Sequence, residues 1–130
     1  FLIHAWAAEY LGVPVVFVSG DAGLIREVND YQPAIGTVTS LTGIGNSSIS
    51  PHPNQVIEKI RGIVHQSLSG DLKSRHRPLP DTFDLRIRYA KQKIAYRNAY
   101  YPGCRQLDPY SIAFSTDDYF EILRLLNFLA

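Results

Sequence analysis

Apolar and polar positions alternate along this chain in several distinct rhythms, and each rhythm predicts an element. Residues 3 to 11, IHAWAAEYL, place Ile3, Ala7 and Tyr10 or Leu11 on one face, the spacing of an amphipathic helix that Gly12 ends. The run Val13 to Val18, VPVVFV, is β-branched and almost continuously apolar, which predicts a strand buried on both faces of a largely parallel sheet, with Pro14 near its start. Asp21 then stands where it can cap a helix with Leu24, Ile25 and Val28 on its inner face. A short strand is predicted around Gly36 to Thr39, followed by a loop, SLTGIGNSSIS, rich in Gly, Ser and Thr.

Ser50 opens the clearest helix. Pro51 and Pro53 fall in its first turn, where a missing amide donor costs nothing, and Val56, Ile57, Ile60, Ile63, Val64 and Leu68 recur at helical spacing before Ser69 and Gly70 stop it. Residues 71 to 82 form a polar, proline-bearing connection. No new composition begins after it, so residues 1–130 read as a single domain. Phe83, Leu85, Ile87 and Tyr89 alternate with Asp84, Arg86 and Arg88, the mark of a strand with one wet face. Ala90 to Tyr100 reads as a helix ended by Pro102 and Gly103. A second alternating strand through Tyr110, Ile112 and Phe114 leads, by Ser115 and Asp118 in capping-box spacing, into the terminal helix YFEILRLLNFLA. The whole predicts an α/β or α+β layered fold, with strand 13–18 buried and flanked by helices.

Composition narrows this picture. At 45% hydrophobic, with 13 basic against 12 acidic side chains, the chain of 130 residues belongs to neither disordered, collagen-like nor disulfide-scaffold classes. The longest apolar run is far short of the roughly 20 residues that span a bilayer, and the start has no basic region preceding an apolar stretch, so neither a membrane anchor nor a secretory signal is expected. Cys104 is the single cysteine and permits no internal disulfide, which fits a cytoplasmic setting. The chain holds no methionine and begins at Phe1, so it is expected to be a fragment lacking an N-terminal portion.

Candidate chemistry is sparse. The end of the buried strand, Ser19-Gly20-Asp21, turns straight into a helix, and ligands of open α/β sheets bind where strand ends and helix N-termini converge. Asp21 is therefore either a plain helix cap or part of a cleft, and Ser19 shares that position. The loop Leu41 to Ser50 lacks the lysine and spacing of a phosphate loop; it reads as a flexible surface loop or the edge of a pocket. His4, His52, His65 and His76 are scattered without ligand spacing, so the residues alone support no zinc site. His52 suits a capping or solvent position, His65 the rim of its helix, and His4 is kept as a pocket candidate. Residues 73 to 105 hold nine basic against two acidic side chains, leaving four against ten elsewhere. Interleaved tyrosines would let such a stretch meet nucleic acid, but a solvated face or subunit contact suits it better, and neither nucleic acid nor membrane is expected as a partner.

The stretch HAWAAEYLGVPVVFVSGD, then PAIGTVT, the glycine loop, SPHP with its long helix, and later LRIRYA, YPGCRQLD and SIAFSTDD resemble in order the zinc-dependent D-aminopeptidase family associated with dipeptide transport operons. The resemblance covers nearly the whole chain, as the C-terminal part of a family member. It implies a metallo-aminopeptidase-like parent acting on N-terminal, D-configured residues of small peptides, with zinc in the intact parent and a homo-oligomeric assembly. It also implies that the metal ligands and catalytic histidine lie in the N-terminal half. The last ligand, the glutamate of a G-E-x-G-x-N-A pattern, falls just before Phe1, and the family's asparagine falls at His4. No cofactor and no activity are thus expected of this chain alone. Leu41 and Asn46 stand where the family often has lysine and arginine, and its paired acids are reduced to Asp21-Ala22. The alternative implied by these departures is a non-catalytic assembly or interaction domain derived from the same fold.

Overall fold

A computed structural model of the chain describes residues 1–129. The chain is mixed α/β and divides into two compact units, Phe1–Pro78 and Leu79–Ala130, with the division inside the polar connection 71–82.

The first unit begins with α1 (Leu2–Tyr10), closed by Gly12 at φ +72 with the Val13 amide reaching back to the Ala8 carbonyl at 2.9 Å. β1 (Phe17–Asp21) runs parallel to β2 (Gly36–Ile44), and the crossover between them is α2 (Ala22–Tyr31), whose inner face buries Ile25 and Val28. β2 then turns at Gly45-Asn46 into the short antiparallel β3 (Ser47–Ile49), giving the sheet order β1-β2-β3. α3 (Pro53–Leu68) packs on β1 and β2, with Pro53 in its first turn and His52 as its cap. Gly36 starts β2 beneath α3 because a side chain there would meet Ser67 Oγ at 2.5 Å and Ile63 Cγ2 at 2.7 Å.

Two expectations are corrected here. The strand expected at 13–18 begins four residues later, and Val13 is 56% exposed. A strand extends only as far as its partner: β2 starts at Gly36, which registers with Phe17, so Val13 to Val16 have no ladder to join. Among the described residues β1 is also an edge strand with one neighbour, and Phe17 and Val18 are half-buried rather than covered on both faces. The expected loop at 41–50 is in large part the β2–β3 hairpin, exposed along its whole length.

The second unit is an antiparallel sheet of β4 (Phe83–Arg88), β5 (Arg105–Asp108) and β6 (Ser111–Thr116) in the order β4-β6-β5. α4 (Gln92–Asn98) and α5 (Tyr119–Leu129) pack on it. Phe83, Leu85 and Ile87 pair with Thr116, Phe114 and Ile112, and Ile112 and Leu125 are 1% and 0% exposed. Burying two such side chains contributes about 1.5–3 kcal/mol each. Phe83 and Tyr119 stack with ring centroids 5.0 Å apart. The expected alternation in the last strand gives way to burial of Ser111 through Phe114, because β6 lies between two neighbours. Buried Asn98 ties the unit together: its amide donates to Tyr89 Oη at 3.0 Å and to the Leu129 carbonyl at 3.4 Å, while Tyr89 Oη donates to the same carbonyl at 3.1 Å.

Candidate functional site

The strand end singled out in the sequence lies at the carboxyl end of β1. The β1–β2 register slips between Gly20 and Asp21, so Asp21 faces Leu41, and Ser40 Oγ donates to the Gly20 carbonyl at 3.1 Å. Asp21 Oδ1 accepts the amides of Gly23 at 2.7 Å and Leu24 at 3.0 Å, which makes it the N-cap of α2. Those amides, Leu24 first and then Gly23, hold its carboxyl below its ordinary value, so it is ionised near neutral pH. Ser19 is exposed beside it. His4 is exposed on α1, and among the described residues no hydrogen bond or ion pair joins it to Ser19 or Asp21. Asp21 and Ser19 are thus brought together at one strand end, and His4 is not tied to them.

Histidine and carboxylate side chains meet in one pair, and the other histidines among the described residues stand apart from any carboxylate. His52 Nδ1 accepts the Asn54 amide at 3.3 Å and is occupied as the cap of α3. His76 Nδ1 lies 2.8 Å from Glu9 Oε2, and the Arg77 amide donates to Glu9 Oε1 at 3.2 Å. Glu9 has only 8% of its side chain exposed, so α1 is clasped to the segment 73–77 by a largely buried carboxylate. The same segment sets Arg77 over the Tyr31 ring at 4.3 Å and on the Tyr31 carbonyl, and Arg75 on the Ala34 carbonyl. Among the described residues no three His, Cys, Asp or Glu side chains gather as a metal site. Burial pushes the Cys104 thiol up, away from the thiolate that nucleophilic work needs.

The second unit carries a cleft of about 580 Å³ that the sequence reading did not find, lined by Gln92, Lys93, Tyr96, Gln106, Leu107, Asp108 and Pro109. Tyr96 Oη lies 2.7 Å from Tyr100 Oη, and that hydrogen bond raises the Tyr100 hydroxyl. Asp108 Oδ1 accepts the Tyr110 amide at 2.7 Å; this bond, followed by one to Ser111, lowers its carboxyl and fixes the β5–β6 turn. The residues come from α4, from the turn residue Pro109 and from β5, a polar strand with no apolar alternation to betray it.

A parallel β-α-β crossover with a capped strand end, next in sequence to an α-on-sheet unit, places the chain among mixed α/β proteins. The D-aminopeptidase family model matches residues 1–128, and the chain belongs to that family. The Zn-dependent D-aminopeptidase DppA from Bacillus subtilis, described as a self-compartmentalizing protease, matches with a TM-score of 0.83 at 22% sequence identity. The match covers 98% of this chain and 47% of that one, so this chain spans about half of its structural relative; at this identity the likeness is one of fold. No curated protein sequence matches the chain.

Proposed function

We propose that this chain is the C-terminal portion of a metallo-aminopeptidase-like hydrolase acting on N-terminal, D-configured residues of small peptides, and that the chain by itself is inactive. The observation that carries the reading is the family match over residues 1–128, in a chain that spans 47% of its structural relative and in which no three His, Cys, Asp or Glu side chains gather among the described residues. The chain would supply scaffold, with Ser19 and Asp21 at the β1 end and His4 on α1 as candidates for the pocket wall. Zinc would belong to residues outside this chain, and no step of the chemistry is assigned to residues within it.

Assembly of identical subunits is part of the proposal, since the structural relative is described as self-compartmentalizing. A cytoplasmic setting is proposed as well; no helix among the described residues is long and apolar enough to cross a membrane, and the single cysteine forms no internal disulfide. The second reading, a non-catalytic assembly domain, is favoured by one observation: Asp21, the acid retained at the end of β1, is committed to capping α2.

The test is to purify the 130 residues and measure zinc content and hydrolysis of D-alanyl peptides. Neither stoichiometric zinc nor turnover is expected, and finding either refutes the proposed inactivity. The coding region upstream of Phe1 separates the two readings. A glutamate directly before Phe1, an Asp-x-Glu near the true start and later histidines support the hydrolase; their absence supports the assembly domain.

A further inference from the structure

We propose that the free edge of β4 is a self-pairing surface, on which β4 of a second copy of this chain adds in antiparallel register centred on Leu85. The inference deepens the homo-oligomer reading given above by naming the surface and the register.

β4 stands at one end of the order β4-β6-β5, so one of its two sides has no strand partner among the described residues. The side that is free follows from the ladder. Tyr89 donates its amide to the Tyr110 carbonyl at 2.8 Å, and the pairing continues in register as Ile87 with Ile112, Leu85 with Phe114 and Phe83 with Thr116. In an antiparallel ladder hydrogen-bonded pairs alternate, so the residues between them, Asp84, Arg86 and Arg88, turn their amides and carbonyls to the open edge. Those three residues are exposed. Asp84 takes a hydrogen bond from Ser115 Oγ at 2.5 Å; Arg86 makes no hydrogen bond or ion pair among the described residues.

Side-chain charge selects one register. Two copies of one strand pairing about a two-fold axis form an isologous contact, in which every pair is made twice. With the axis at Leu85, Asp84 lies opposite Arg86 of the second copy and Arg86 opposite its Asp84, both as hydrogen-bonded pairs. On the other face Leu85 meets Leu85 and Phe83 meets Ile87. Leu85 and Ile87 are only half-buried within the unit, so the added strand covers apolar surface that the edge leaves open. Moving the axis to Arg86 pairs Asp84 with Arg88 but sets the Arg86 guanidinium against itself at the centre, and moving it to Ile87 sets Arg86 against Arg88. Only the axis at Leu85 gives two opposite-charge pairs and no like-charge one. Directly opposed like charges destabilise a strand pair, whereas opposite charges support it. Charges that serve only to keep foreign strands off an edge need no such order of sign. Here the order Asp-Leu-Arg is self-complementary, and the union of two three-stranded sheets is a continuous six-stranded one.

A charge swap tests this by sedimentation of the purified chain over a range of concentrations. Asp84→Arg and Arg86→Asp each convert both opposed pairs from attraction to repulsion, and each is expected to weaken self-association on the order of tenfold or more. The double variant restores opposite charges and is expected to recover association. The bond from Ser115 is lost in Asp84→Arg and in the double variant alike, so the rescue isolates the contact across the edge. A second measurement holds even if a charge variant unfolds. In a Cys104→Ser background, Leu85→Cys places two thiols on the axis as a non-hydrogen-bonded pair with Cα atoms about 4.5 Å apart, within disulfide reach, and mild oxidation is expected to yield covalent dimers. Ile87→Cys, opposite Phe83 in this register, is expected to yield none. An assembled protein whose mass ignores the charge variants, or an Ile87→Cys chain that cross-links as readily as Leu85→Cys, overturns this pairing and leaves the assembly reading standing. A chain that sediments as a monomer at every concentration overturns both.

Discussion

Gly36 lies beneath α3 and Gly62 within it, and replacing each with alanine is expected to move stability in opposite directions. At Gly36 the new methyl would stand 2.5 Å from Ser67 Oγ, 2.7 Å from Ile63 Cγ2 and 3.4 Å from the Val16 carbonyl. Ser67 is 5% exposed, so the crowded atoms have little room to turn aside and α3 itself must lift from β2. Overpacking of this kind costs about 1–3 kcal/mol. The lower chain entropy of alanine in the unfolded state returns roughly 0.4–1 kcal/mol, leaving a net loss of about 1–2 kcal/mol. Gly62, within the same α3, has nothing within 4 Å of its added methyl, so Gly62→Ala should gain about 0.5–1 kcal/mol. The two variants thus differ by about 2–3 kcal/mol, a large share of the 5–15 kcal/mol that holds a typical domain folded. Trp6, the single tryptophan, reports on this unit alone, since it is half-buried in α1 and donates its indole N–H to Tyr31 Oη at 3.2 Å. With a urea slope of about 1 kcal/mol per molar for a unit of this size, the fluorescence midpoints should lie roughly 2–3 M apart. A midpoint for Gly36→Ala at or above that of Gly62→Ala would refute the close approach of α3 to β2.

Two further outcomes use the same fluorescence. The Leu24 and Gly23 amides hold the Asp21 carboxyl below its ordinary 3.8, so its contribution is complete above that value and is lost as pH falls through the lower folded-state value. The gap in midpoint between wild type and Asp21→Ala should therefore be widest near neutrality and close in strong acid; a gap independent of pH contradicts the capping role. Glu9→Ala removes the acceptor of both the His76 ring and the Arg77 amide and should cost about 1–3 kcal/mol, and an unchanged midpoint would show that the clasp between α1 and segment 73–77 is not holding the unit together.

Helix ends were more legible in the sequence than strand ends, for a physical reason. A helix satisfies its own backbone, so local chemistry marks its limits to within a few residues. Asp21 caps α2 as expected, whereas α3 opens at Pro53 under a His52 cap rather than at Ser50. At α5 Asp118 itself accepts the Phe120 amide, while Ser115, expected as the cap, lies in β6 and donates to Asp84. A strand is bounded by whatever lies beside it. The apolar run Val13 to Val18 announced that something there favours burial, but the ladder begins only at Phe17, where Gly36 arrives. β3 and β5 went unseen because all their residues are exposed and carry no apolar alternation. In the candidate site, the strand end and its cap could be read from Ser19-Gly20-Asp21. The pairing of Glu9 with His76 could not, because residues so far apart in the chain share no local pattern.

Charge is where the structure most alters what a linear reading implies. The basic stretch from residue 73 to residue 105 crosses the division at Pro78. Counted by unit, six basic side chains meet six acidic ones in residues 1–78, and seven meet six in residues 79–130, so the excess along the linear stretch is balanced within each unit. Several of those cations are also engaged at home. Arg75 and Arg77 donate to carbonyls of the first unit, and Arg88 lies 5.7 Å from the Tyr110 ring centroid. What survives is not a sum but an order of signs along one exposed edge. Asp84 and Arg86, two positions apart on the same side of β4, would be unremarkable in a covered strand. On an edge with outward-facing amides they become the two halves of a contact that only an antiparallel copy of the same strand completes twice.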